Sequence, residues 1–153
     1  VLINFATAII NVPVLKDHDL SGVSLGMKNF FGVIHNPNKY HDNGCDPYIA
    51  EVCSNPLIRQ RLRLVVVDGL RAQLDGGPAY RQGGAYPYAG IIMGSDPVAV
   101  DAVGWAEIEA WRAKLGYKSL KEVGREPQHI LTAEKMGLGI ARVDDITVAR
   151  RTV

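Results

Sequence analysis

Residues 9–32, IINVPVLKDHDLSGVSLGMKNFFG, constrain this chain more than any other stretch. An apolar, β-branched run (Ile9, Ile10, Val12, Val14) gives way abruptly to Lys16-Asp17-His18-Asp19. A run of that kind over residues 9–15 reads as a strand buried on both faces. A turn containing Gly22 follows, and then a predicted helix over residues 23–33 that carries Lys28 and Asn29. A buried strand that empties into charged side chains, with a helix returning, is how open α/β sheets assemble a ligand site.

Three further segments read as strands: 62–68 (LRLVVVD), 89–95 (AGIIMGS) and, at an edge, 145–149 (DITVA). Residues 1–8 fit either a strand or a helix. Ser95-Asp96-Pro97 supplies an N-cap and a proline at the first helical position. A helix over 98–115 follows, ended by Gly116, with Val98, Ala102, Trp105, Ile108 and Trp111 spaced to face a sheet. Residues 127–136 form another helix stopped by Gly137, and Asp46-Pro47 caps a third that Pro56 ends. This alternation predicts a layered α/β fold, with a largely parallel sheet and helices packed on its faces. At 153 residues the chain is the size of one domain, 1–153. The long connection between Leu15 and Leu62 is rich in polar turn residues over 36–47, a composition usual in loops that are functional or disordered.

Bulk composition removes several classes of function. Seventeen basic residues stand against 16 acidic ones, a net charge of +1, whereas a nucleic-acid surface shows as a basic excess. No apolar run approaches the ~20 residues that span a bilayer, so no membrane partner is expected. Cys45 and Cys53 set no disulfide framework. With Pro47 opening a helix, Cys53 lies roughly 9–10 Å of rise along it, beyond the ~7 Å that a disulfide tolerates. Both read as reduced thiols, and two cysteines hold no iron–sulfur cluster within this chain. A cytoplasmic location is favoured, with export left open because Val1 does not read as a native N-terminus.

Lys16 and His18 offer an ammonium and an imidazole at a strand end, suited to an anionic substrate or a metal. The competing account is a charged turn in which Asp17 and Asp19 neutralise Lys16. Lys28-Asn29 sits among Leu25, Met27, Phe30, Phe31 and Val33. A lysine on so apolar a segment either reaches solvent or points into a cleft. His41, Cys45 and Asp46 are metal-ligand types but match no zinc signature, and Asp46 is more simply a helix cap. Asp68 closes the second strand, and the glycine-rich loop from Asp75 to Gly84 lacks the Gly-Lys-Ser/Thr tail of a phosphate-binding loop. Asp96 caps a helix. Asp101, amid Val98, Val100 and Ala102, is expected to be partly buried with Lys16 or Lys28 as its partner. If the strands run parallel, Lys16 and His18, Asp68 and Asp96 gather at one edge of the sheet.

The 9–32 stretch, NPNKYHDNGCDPYIAEV, VVVDGLRA, GGP, GSDPVAVDAVG and HILTAEKMGLG together cover nearly the whole chain. In that order they resemble the family of domains of unknown function 362. Carried over by position, the polar motif residues are Lys16, His18, Lys28, Asn29, Asp68, Asp96 and Asp101. Members of that family are usually longer, with a further N-terminal portion and in some cases an attached iron–sulfur module. The resemblance implies that this chain is the C-terminal part of such a domain, associated with redox chemistry.

The leading expectation is an enzyme domain that binds a small anionic substrate, with a divalent metal. Lys16, His18, Lys28, Asn29, Asp68 and Asp101 form the catalytic set, and His18, Asp68 and Asp96 the metal ligands. The rival is a non-catalytic docking or electron-transfer module that meets an iron–sulfur protein through loop 36–46. A deep cleft with converging polar groups favours the first, and a flat patch the second. Strongly apolar strands with little to blunt an open surface predict a homodimer.

Overall fold

Helix α1 (Leu2–Phe5) opens the computed structural model, which describes residues 2–152; Val1, part of the undecided opening segment, lies outside them. Pro13 then splits the first apolar run into β1 (Ile9–Asn11) and β2 (Val14–His18), because proline cannot donate to a ladder. Lys16 and His18 therefore lie inside β2 rather than beyond a strand. Strand β3 (Gly22–Ser24) returns antiparallel along β2. Helix α2 (Gly26–Asn29) and a 3₁₀ turn (Phe30–Val33) follow, then α3 (Tyr48–Ser54) and α4 (Pro56–Arg59).

The long strand β4 (Leu62–Gln73) organises the sheet. Strands β1 and β2 form one interrupted line parallel to it, with Ile10 opposite Leu64, Val14 opposite Asp68 and Lys16 opposite Gln73. Along its other side run β5 (Ala85–Tyr86) and β6 (Gly90–Gly94), both antiparallel. Helices α5 (Pro97–Lys114) and α6 (Gln128–Lys135) complete the described elements. The architecture is the expected α/β layering on a mixed, open six-stranded sheet.

Helices α2 and α5 pack against each other and on one face of this sheet. Leu15, Val65 and Val67 meet Leu25, Val98 and Ile108 there, and α3 extends the core with Ile49 and Ala50. Burying an aliphatic side chain of this size contributes about 1.5–3 kcal/mol. Asp96 caps α5 as expected, accepting from the amides of Val98 and Ala99. Both cysteines are free and buried. Among the described residues no helix is long and apolar enough to cross a membrane.

Four expectations fail for identifiable reasons. The helix over 23–33 is a strand, one α turn and a 3₁₀ turn. Val23 suits a strand, and Gly26 and Gly32 weaken helical propensity. The strand expected to end at Asp68 continues to Gln73. Gly69 does not break it, since a Cβ there would meet the Gly90 carbonyl oxygen at 2.7 Å and the Tyr88 ring at 2.7 Å. No strand forms over 145–149. Asp145 is taken into a 3₁₀ turn (Val143–Asp145), and Arg150 of the following tail pairs with Glu107 of α5. Asp46 does not cap α3, whose N-cap position is Pro47.

Candidate functional site

A cavity of about 440 Å³ opens where β1 passes into β2. Val12, Pro13, Val14, Lys16 and His18 form its strand side, and Ser24 and Leu25 its floor. Lys28, Asn29, Phe31 and Gly32 come from α2 and the turn after it. Pro37 and His41 arrive from the polar loop, and Pro78 from the glycine-rich loop. Four residues of the expected set therefore share one cavity: Lys16, His18, Lys28 and Asn29.

Alternation along β2 sends Leu15 and Asp17 inward and sets Lys16 apart from them. Lys16 Nζ donates to the Pro78 carbonyl at 3.0 Å, which draws the glycine-rich loop to the cavity rim. Asp17 does not neutralise it. The Asp17 carboxylate is fully buried and accepts from the Gly77 amide at 2.8 Å and Arg125 Nη1 at 2.9 Å. Arg125 in turn reaches Asp75 at 3.3 Å. The charged-turn account of Lys16 thus gives way to a buried ion pair beneath it.

His18 and His41 present opposite nitrogens. The Leu20 and Ser21 amides donate to His18 Nδ1 at 3.1 and 3.4 Å. That assigns the lone pair to Nδ1 and leaves the hydrogen on Nε2. Burial, followed by the charge of Lys28, pushes His18 down to about 4, although the Asp19 carboxylate 3.0 Å from Nδ1 acts the other way. At neutral pH the ring is uncharged. His41 Nδ1 lies 2.9 Å from the Pro37 carbonyl, which can only accept, so Nδ1 carries the hydrogen. Its Nε2 lone pair then faces Lys28 Nζ at 3.4 Å.

Lys28 is buried, its Nζ 4.2 Å over the Phe31 ring. Burial holds its ammonium below the ordinary lysine range; Lys16 adds to the effect, while Cys45 and Asp19 oppose it. Its backbone is fixed from two sides. Asn29 Nδ2 donates to Asn11 Oδ1 at 2.7 Å, and Asn11 Nδ2 donates to the Gly26 carbonyl at 2.7 Å. From the helix side, the Asp101 carboxylate accepts the Gly26 and Met27 amides at 2.7 and 2.9 Å.

Asp101 therefore pairs with the first amides of α2, and not with a lysine as expected. It is fully buried and outside the cavity, a positioning residue for Lys28 and Asn29. Burial pushes its carboxyl up to about 7, with the two amides pulling it back. Asp68 also falls outside. It sits mid-strand between Val14 and Ile91, its Oδ1 accepting from the Leu70 amide.

Asp96 lies at the far end of the sheet. Strand β6 runs antiparallel, so its last residue, Gly94, pairs with Val65, whereas Lys16 pairs with Gln73. The intervening length of β4 is roughly 26 Å. Asp96 is also spent on three amides, those of Val98, Ala99 and Ile140. The expected metal set His18, Asp68 and Asp96 is thus not assembled. Among the described residues no three His, Cys, Asp or Glu side chains stand close enough to hold a metal ion. The cysteines do not fit a cluster either: Cys45 is buried in the core, and Cys53 Sγ donates to the Met27 carbonyl.

In the sequence His41 reads as a metal-ligand type beside Cys45 and Asp46 and as part of the docking loop 36–46, and Asn11, Pro78 and Arg125 are not among the candidate site residues. Asn11 left a signal, an amide side chain within an otherwise apolar strand, where burial demands a partner. Arg125 and Pro78 left none, since both reach the site only through tertiary contacts.

A family model described as a domain of unknown function, DUF362, matches residues 2–106. No curated protein and no solved structure matches the chain.

Proposed function

The chain belongs to the DUF362 family, and from that premise we propose that its cavity binds a small organic anion and is the reaction centre of an enzyme domain. The observation that carries this reading is the lining itself. Lys16, Lys28, His18 and His41 converge on one cavity that no described carboxylate lines. Two ammonium groups with no counter-ion in the cavity favour a carboxylate or phosphate head. Val14, Leu25, Phe31, Pro37 and Pro78 supply apolar walls for a carbon skeleton.

Lys28 is the principal charge, because it is buried and an anion near it is attracted through a low local dielectric. The neutral His18 presents Nε2–H, suited to donating a hydrogen bond or a proton to a group that gains charge during reaction. His41 holds Lys28 in place through its lone pair and would yield that contact to a bound anion. Asn29 adds an amide at the rim. A resident divalent cation does not fit a cationic cavity without carboxylates, and no step is assigned to one.

Thermal unfolding in the presence of small carboxylates and phosphate esters tests this directly. A ligand at a hundred times its dissociation constant adds about 2.7 kcal/mol of stability. Anions with a short apolar skeleton should raise the midpoint, and their neutral amide analogues should not. Equal stabilisation by the amides, or none by any anion at millimolar concentration, would refute the reading.

A further inference from the structure

Among the described residues no helix packs on the second face of the sheet. Direct register partners share a face, so Ile10 aligns with Leu64, Val66 with Met93, and Val14 with Asp68 and Ile91. Ile10, Val12, Val14, Leu70, Ile91 and Met93 on this side are each 43–64% exposed. Asp68 lies among them by this register, and Lys16, two residues beyond Val14 on the same strand side, borders them at the cavity end. Their inward neighbours Val65 and Val67 are wholly buried. Strands β1, β4 and β6 thus alternate between two apolar surfaces, and among the described residues only one of these is covered.

We infer that this open face is the contact surface of a two-fold dimer, its occupant a second copy of the same chain. Six side chains this exposed make a contiguous apolar patch on the order of 600 Å², at the upper limit of what a monomer exposes. Two such patches face to face bury about 1,200 Å², the threshold for a stable specific interface. A two-fold axis pairs the same patch on both copies, so one apolar sheet face suffices for both sides of the contact. Two such faces pack as a sandwich about 10 Å apart with strands roughly 30° askew. Val12 and Val14 belong both to this face and to the cavity lining, so the partner sheet stands at the cavity rim. The dimer does not depend on the anion reading.

Sedimentation velocity on the whole chain, with peroxide footprinting of its methionines, tests the inference. Wild type should sediment at twice the chain mass at micromolar concentration, and Met93→Asp should sediment as a folded monomer. Footprinting needs no variant. Met93 is 62% exposed and Met136, remote from this face, is 42% exposed. On raising the protein concentration, oxidation of Met93 should slow several-fold while that of Met136 stays constant. A wild-type monomer, polydisperse edge-to-edge aggregates, or Met93 oxidised at a concentration-independent rate would each overturn the face-to-face dimer.

Discussion

Lys28 Nζ stands 3.4 Å from His41 Nε2, joining the turn of α2 to a loop thirteen residues further along. Buried ammonium groups are costly, and among the described residues this one contacts the His41 imidazole and the Phe31 ring, not a carboxylate. Replacing it by an apolar side chain of similar length should therefore cost little stability. Lys28→Met is expected to leave the unfolding midpoint in urea unchanged or raised, while weakening anion affinity ~10- to 100-fold, the worth of a charge-assisted hydrogen bond. Parallel urea titration and calorimetric binding separate the two effects.

Asp101 acts through the backbone. Asp101→Ala leaves the Gly26 and Met27 amides buried without an acceptor, at a cost of about 2–5 kcal/mol. Asp101→Asn retains one acceptor oxygen and should fall between wild type and Ala. Anion affinity should follow the same order, because the start of α2 sets where Lys28 and Asn29 stand. Chemical denaturation of the three proteins checks the ranking. Equal stabilities would show that Asp101 does not anchor α2.

Arg125→Met removes the partner of a wholly buried carboxylate, Asp17. Breaking such a pair from one side costs about 3–5 kcal/mol, because the remaining charge stays desolvated. The double variant Asp17→Asn with Arg125→Met should recover part of that loss. A double-mutant cycle measured by urea unfolding gives the coupling directly.

Acid should destabilise the fold between the ordinary histidine range and about pH 4. Burial pushes His129 down to about 3 and His18 to about 4, so both stay neutral when folded and take up protons when unfolded. The unfolded chain then binds more protons, and stability falls as pH drops below about 6.5. Asp101 opposes this: its carboxyl, raised to about 7, binds a proton in the folded state first, favouring folding as pH falls from there towards 4. Two histidines outweigh one carboxyl. His129, whose ring nitrogens have no hydrogen-bond partner among the described residues, dominates the slope at the acid end. His129→Leu should flatten the profile by on the order of 1.4 kcal/mol per pH unit there. Urea midpoints between pH 4 and 7 report it.

How legible the molecule was depends on the reach of each interaction. Asp96-Pro97 declares the start of α5 because capping is settled within three residues. Lys16 and His18 pointed to the cavity because a strand with adjoining charge is local information, and Lys28-Asn29 followed because a lysine in an apolar segment must be explained. Asp68 misled, because Asp-Gly marks a turn locally, whereas Gly69 is required for the close approach of β6 and Tyr88. Asp96 misled through direction: nothing within residues 89–95 reveals that β6 runs against β4. The pairing of Asp17 with Arg125, 108 residues away, lies beyond any pattern of spacing.

The most direct test of an anion bound between Lys28 and His18 is the imidazole spectrum. The chain has four histidines, and only His18 and His41 line the cavity; His35 borders a separate groove and His129 is buried. Carbon-13-resolved imidazole resonances, followed during titration with a stabilising carboxylate, should show His18 and His41 shifting together to saturation. His35 and His129 should stay in place. Saturable binding that moves His35 and leaves His18 and His41 still would contradict the account.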